Sequence, residues 1–175
     1  GLQMRKAKRG LFLTMAATML LSINAYGASP SGELTIHPVE HPVSVSSESY
    51  KEDIIHADPR GEILSTGIVV INDNGDGTFY VRIETYAHEN ADRIKQTLYL
   101  EVWDEGRDDW VYVDDWEFAT TKEENGGELY EYVVEMDIDG CEVGESYRVR
   151  GSHLVRVGSK TETFSSRTDG VTLTD

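Results

Sequence analysis

Apolar positions in this chain recur mostly with a period of two. Ile63 to Ile71 is a run rich in β-branched residues that stops at Asn72-Asp-Asn-Gly-Asp-Gly77. Thr78 to His88 alternates, with Phe79, Val81, Ile83 and Thr85 on one side and Tyr80, Arg82, Glu84 and Tyr86 on the other. Lys95–Trp103, Trp110–Thr120, Leu129–Ile138 and Tyr147–Val157 repeat the pattern, and Thr161–Phe164 and Val171–Thr174 close the chain. Successive side chains leave a strand on opposite faces, so this period predicts strands. No stretch has the spacing of an amphipathic helix of convincing length. About seven short strands separated by Gly- and Asp-rich turns predict an antiparallel sandwich in preference to a closed barrel. Tyr147 stands three residues after Gly144 and two before Val149. That is the spacing of the tyrosine corner in immunoglobulin-like domains, with Val149 in the place of the second cysteine. The expected fold is therefore all-β, an immunoglobulin-like antiparallel β-sandwich over residues 61–175.

The residues before Gly61 read differently. Arg5, Lys6, Lys8 and Arg9 precede an apolar stretch from Leu11 to Ile23, and Ala25-Tyr26-Gly27 places small residues at −3 and −1 of a cut. This predicts a signal peptide over residues 1–27 and export of the remainder. The apolar stretch falls short of the roughly 20 residues that a membrane span needs. Residues 28–60 contain all four prolines, many serines and few large apolar groups, which predicts a flexible linker. His37 and His41 are four apart, but Pro38 and Pro42 oppose the helix that would bring them together as metal ligands.

Charge narrows the partners. The chain of 175 residues has 32 acidic and 16 basic residues, a formal charge of −16. Four of the bases precede the predicted cut, so the exported part carries 12 − 32 = −20. A nucleic-acid partner is not expected, because phosphate binding needs clustered Lys and Arg. Membrane insertion after cleavage is not expected either. Cys141 is the single cysteine, so the fold stands on its core without an internal disulfide. It is expected to be a buried free thiol or to pair with a partner's.

Catalytic motifs are missing: there is no Walker-type loop, no G-x-S-x-G elbow and no H-E-x-x-H pair. His153 reads as a strand histidine with its hydrogen bonds made. The protein is expected not to be an enzyme. Asn72, Asn74 and Asp76 before Gly77 imitate the first ligands of an EF-hand loop, which makes calcium a candidate ion. The twelfth position is Ile83 where that loop needs a glutamate, and Asn-Gly and Asp-Gly are also ordinary hairpin turns. Asp104, Glu105, Asp108 and Asp109 form a second acidic group with weak ion-holding potential.

The richest constellation is the hairpin between Lys95–Trp103 and Trp110–Thr120. With a turn over residues 104–109, Trp103 opposes Trp110, Glu101 opposes Tyr112 and Tyr99 opposes Asp114. All six then share one face, and Leu98, Leu100, Val102, Val111 and Val113 take the other. The outer face is expected to present Tyr99, Glu101, Trp103, Trp110, Tyr112 and Asp114, with Trp116 beside them. Flat rings beside carboxylates suit a sugar, whose C–H faces stack and whose hydroxyls find acceptors. The same side chains suit a protein interface, where Trp and Tyr are enriched. Sheet stabilisation alone is the third reading.

Several segments taken together, namely Pro59-Arg-Gly-Glu62, Gly75-Asp-Gly77, Leu98-Tyr-Leu-Glu101, Trp110, Trp116, Tyr147-Arg-Val-Arg-Gly-Ser-His153, Thr161-Glu162 and Thr168-Asp-Gly170, carry a resemblance. The chain resembles a family of small exported proteins from Gram-positive gut-type bacteria, a domain of unknown function. The resemblance covers roughly residues 59–174 and implies a secreted immunoglobulin-like β domain with no assigned activity and no catalytic residue to carry over. Trp103 and the acidic run from Asp104 to Asp109 depart from the family pattern. The functional expectation is a secreted, non-catalytic module that recognises a protein or a cell-surface glycan through the aromatic face. The alternative is a structural or accessory extracellular module, with calcium as a candidate stabiliser.

Overall fold

The computed structural model of the protein describes residues 33–46, 48–56 and 61–175. The predicted signal peptide and parts of the predicted linker lie outside the described residues. Among the described residues ten strands follow in chain order: β1 (Thr35–His37), β2 (Tyr50–His56), β3 (Leu64–Asp73), β4 (Phe79–Ala87), β5 (Arg93–Asp104), β6 (Asp109–Thr121), β7 (Glu131–Asp139), β8 (Ser146–Val157), β9 (Lys160–Arg167) and β10 (Val171–Thr172). A 3-10 turn, Glu123–Asn125, follows β6.

The strands form two antiparallel sheets packed face to face. The first has the order β1-β7-β4-β3-β2, and the second β10-β8-β5-β6 with β9 also paired to β8. Within these, β3-β4-β7 and β9-β8-β5-β6 have the order of the A-B-E and G-F-C-C′ strands of an immunoglobulin-like sandwich. The core lies between the sheets. Val69, Ile71, Phe79, Val81 and Ile83 meet Leu98, Leu100, Trp116, Phe118 and Val149 there. A smaller cluster of Ile63, Leu64, Ala91, Ile94, Leu129 and Val155 closes one end.

Tyr147 stands at the start of the F-like strand, as the corner geometry requires. It is 1% exposed, and its ring meets Phe79 edge-on at 5.3 Å between centroids. Its hydroxyl oxygen accepts a hydrogen bond of 2.9 Å from the Glu142 N–H, tying the β7–β8 connection to the core. Tyr147→Phe removes this acceptor and keeps the ring. The expected loss is about 1 kcal/mol in a urea melt, the usual net value of one hydrogen bond. An unchanged midpoint would show that the bond contributes nothing.

The region expected to be a linker differs from that expectation, because two parts of it are strands. β1 pairs with β7 at one edge of the first sheet, and β2 pairs with β3 at the opposite edge. The segment between them therefore crosses the outer side of that sheet. His41 Nε2 donates to Asp137 Oδ2 of β7 at 2.6 Å, and the Ser44 carbonyl accepts from Asn72 Nδ2 of β3 at 3.0 Å. Val70, Asn72 and Tyr80 point outward from the sheet yet are at most 1% exposed. Pro38 and Pro42 suit a strap of this kind, since each restricts its own backbone and its neighbour's without a ladder hydrogen bond to lose. His41 is held above the usual imidazole range by its own bond to the Pro42 carbonyl and by Asp137.

Candidate functional site

The outer face of the second sheet can be read row by row from the strand register. Trp103 of β5 opposes Trp110 of β6, and Glu101 opposes Tyr112. Beyond that pair a β-bulge shifts the register: Leu100 opposes Asp114, Tyr99 opposes Asp115, and Leu98 opposes Trp116. A bulge inserts one unpaired residue and reverses the alternation past it. Of the expected aromatic face, Tyr99, Glu101, Trp103, Trp110 and Tyr112 are therefore brought together. Two members are corrected. Trp116 turns inward, is 7% exposed and joins the core. Asp114 sits at the bulge, and Asp115 takes its expected place opposite Tyr99. Strict alternation would have buried Asp115 and Glu117 and exposed Trp116 and Phe118. The bulge is the lower-energy solution.

The indole rings of Trp103 and Trp110 meet edge-to-face, 5.5 Å apart at 68°. Both residues are partly exposed. The guanidinium of Arg148, on the neighbouring strand β8, lies 4.6 Å from the Trp110 ring centre, and that of Arg150 lies 4.9 Å from the Tyr99 ring centre. These are cation–π distances. Arg148 Nε donates to Glu101 Oε1 at 2.8 Å. Arg150 Nε lies 3.2 Å from the same oxygen, but the angle fails as a hydrogen bond and this nitrogen is buried without a partner. Glu101 is 8% exposed and so is held between two arginines. The Tyr112 hydroxyl donates to Asp115 across the bulge, and burial with this bond raises the phenol above its ordinary range. Burial likewise raises Asp114. Gly170 packs against the edge of Trp110, where an added Cβ would lie 2.6 Å from Cη2. The face is a pre-organised mosaic of rings, guanidinium groups and carboxylates. The sequence reading missed its arginines, although their alternate positions, 148 and 150, carry the same signal of period two.

The other candidates are placed as follows. Asn72, Asn74 and Asp76 do not converge. Asn72 Nδ2 donates to the Ser44 carbonyl, Asn74 Nδ2 to Thr78 Oγ1 and Asp137 Oδ1, and Asp76 Oδ1 accepts from the N–H and hydroxyl of Thr78. Asp104 Oδ1 accepts from the Arg107 N–H, and Asp109 Oδ1 from the Trp110 N–H, so these acids shape the acidic turn. Among the described residues, no group of three or more His, Cys, Asp or Glu side chains is arranged to hold a metal ion. Cys141 is a free thiol against the core, pushed up to about 12 by burial and by Asp139. No helix among the described residues is long and apolar enough to cross a membrane.

His153 is 0% exposed and lies between the sheets. Thr85 Oγ1 donates to Gln96 Oε1 at 2.7 Å, so its oxygen accepts from His153 Nδ1–H at 2.8 Å. His153 Nε2 accepts in turn from the Ser166 hydroxyl at 2.7 Å. Burial pushes the imidazole down to about 4. The neutral ring thus fills both hydrogen-bonding roles inside the core, where no substrate reaches it.

Comparison with protein-family models, curated proteins and solved structures gives no match to this chain.

Proposed function

We propose that this protein is an exported, non-catalytic binding module that recognises a cell-surface glycan or a surface protein through the outer face of β5, β6 and β8. One observation carries the reading. Trp103 and Trp110 sit partly exposed at the end of the second sheet, fixed by Arg148, Glu101 and Gly170 where a buried role would have placed them in the core. Rigid aromatic groups lose little conformational freedom on binding, which is why they dominate contact energies. The export half of the reading rests on the Arg5–Gly27 pattern. Structural support without binding is the alternative, favoured by the completeness of the ring–arginine contacts.

The double variant Trp103→Ala/Tyr112→Ala separates the two. Each cross-strand contact stabilises by at most about 1 kcal/mol, so the melt should move little. Binding to an array of surface glycans and to immobilised surface proteins should be lost. A variant that retains every ligand of the parent would reduce the patch to sheet packing.

A further inference from the structure

The same face carries a charge pattern that runs against the rest of the molecule. Of the 12 Lys and Arg that follow Gly27, six lie on the outer face of the second sheet: Arg93, Lys95, Arg148, Arg150, Arg156 and Arg167. The alternation places three acids with them, Glu101, Asp115 and Glu117. The face is therefore net positive on a chain whose formal charge is −16.

The arrangement is more telling than the sum. Arg93 stands directly opposite Arg156, and Arg150 directly opposite Arg167. Like charges in directly opposed positions destabilise a sheet. Two Arg–Arg pairs on one face stand out on a chain with twice as many acids as bases. Glu101 engages Arg148 and Arg150, and Glu117 engages Lys95 at 3.1 Å. Among the described residues no carboxylate lies within 4.0 Å of the exposed guanidinium groups of Arg156 and Arg167; Asp92 acts on Arg156 from farther away, and Asp53 Oδ2 accepts from the Arg167 backbone N–H. Six steps along β8, from Arg150 to Arg156, separate the two Arg pairs, a span of about 20 Å at strand rise. Between them run Ser152, Ser165 and Thr163, together with Leu154, Lys95 and the buried Thr97.

We infer that this face binds a linear anionic polysaccharide, one whose carboxylate or sulfate groups bridge the Arg150–Arg167 and Arg93–Arg156 pairs while its sugar rings meet the hydroxyl rows and the tryptophans. The inference rests on the binding role proposed above and names its ligand class. Charge complementarity decides it. A neutral glycan leaves the opposed arginines unexplained, and a polyanion relieves both repulsions at once.

The test uses the full chain with heparin as a sulfated probe and polygalacturonate as a carboxylated one, against neutral dextran and anionic phosphatidylglycerol vesicles. Binding is read by titration calorimetry and by tryptophan fluorescence. One or both polyanions should bind, weakening as salt is raised through about 150 mM, and dextran should not bind. Arg156→Ala/Arg167→Ala should weaken binding at least about tenfold. The same variant should melt no lower than the parent, since it removes repulsion, and a purely structural role would predict the reverse. Equal binding of dextran, unchanged affinity in the variant, binding to vesicles alone, or no polyanion binding at low salt would each overturn the inference. Failure of the two readings is distinguishable. Neutral-glycan binding lost only in Trp103→Ala/Tyr112→Ala keeps the aromatic reading and removes the anionic one. Polyanion binding that needs only the arginines does the opposite.

Discussion

Gly67→Ala should destabilise the protein by about 3 kcal/mol, the upper part of the range for overpacking a core. Gly67 is not at positive φ, so its backbone tolerates any residue and the whole effect is steric. An added Cβ would lie 2.5 Å from Phe164 Cε2 and 2.7 Å from His153 Cδ2. Phe164 belongs to β9, an edge strand, and is only partly buried, so its ring has somewhere to go. His153 has not, because Thr85 and Ser166 hold both its nitrogens. Relief of the clash therefore breaks a buried hydrogen bond or displaces β9. Equilibrium urea unfolding measures the loss. Gly67→Ala/Phe164→Leu removes one of the two obstacles and should recover part of it. A single variant as stable as the parent would mean that the sheets separate there at no cost.

Legibility of this fold in the sequence follows burial. Strands β4, β5, β7 and β8 show period two, β6 shows it on each side of its bulge, and β3 reads as a run rich in β-branched residues, so β3 to β8 were visible. β1 and β2 were not. An edge strand packs little, so Thr35–His37 and Tyr50–His56 need no clean alternation, and their prolines and serines resemble a tether. What holds the strap is a set of long-range polar contacts, His41 with Asp137 and Asn72 with Ser44, which no local pattern encodes.

The aromatic face was legible up to the bulge. Along β6 the apolar parity changes: Val111 and Val113 are odd, whereas Trp116 and Phe118 are even, and Asp114-Asp115 stands between. That break was a signal for one extra residue, and reading it would have sent Trp116 to the core. The arginine pattern was legible only in part. Arg148 and Arg150 share a face by alternation, but their opposition to Glu101 and Arg167 depends on which strands are neighbours. Strand order is a tertiary property, set by the sandwich as a whole.

Between pH 7 and pH 4 the parent should lose about 3 kcal/mol more stability than His153→Gln. The sign follows from the proton balance. Above the ordinary imidazole pKa of about 6.5, His153 is neutral in both the folded and the unfolded chain and contributes no pH dependence. Below it, the unfolded chain takes up a proton that the folded chain refuses, because burial holds the ring down to about 4. Stability then falls by up to about 1.4 kcal/mol per pH unit across that window and levels off below it. The hydrogen bonds agree with this direction: Nε2 accepts from Ser166, so protonation there would turn an acceptor into a second donor facing a hydroxyl. Glutamine keeps a donor and an acceptor without a titrating group. It costs stability at pH 7 but should flatten the difference curve. Carboxylates also weaken the fold in acid, but both proteins share them, so the difference isolates the histidine. Urea unfolding at half-unit pH steps gives the curves. Imidazole NMR should show His153 neutral, with the proton on Nδ1, down to about pH 5. Parallel stability curves, or a His153 that titrates near 6.5 in the folded protein, would overturn the account of the buried network.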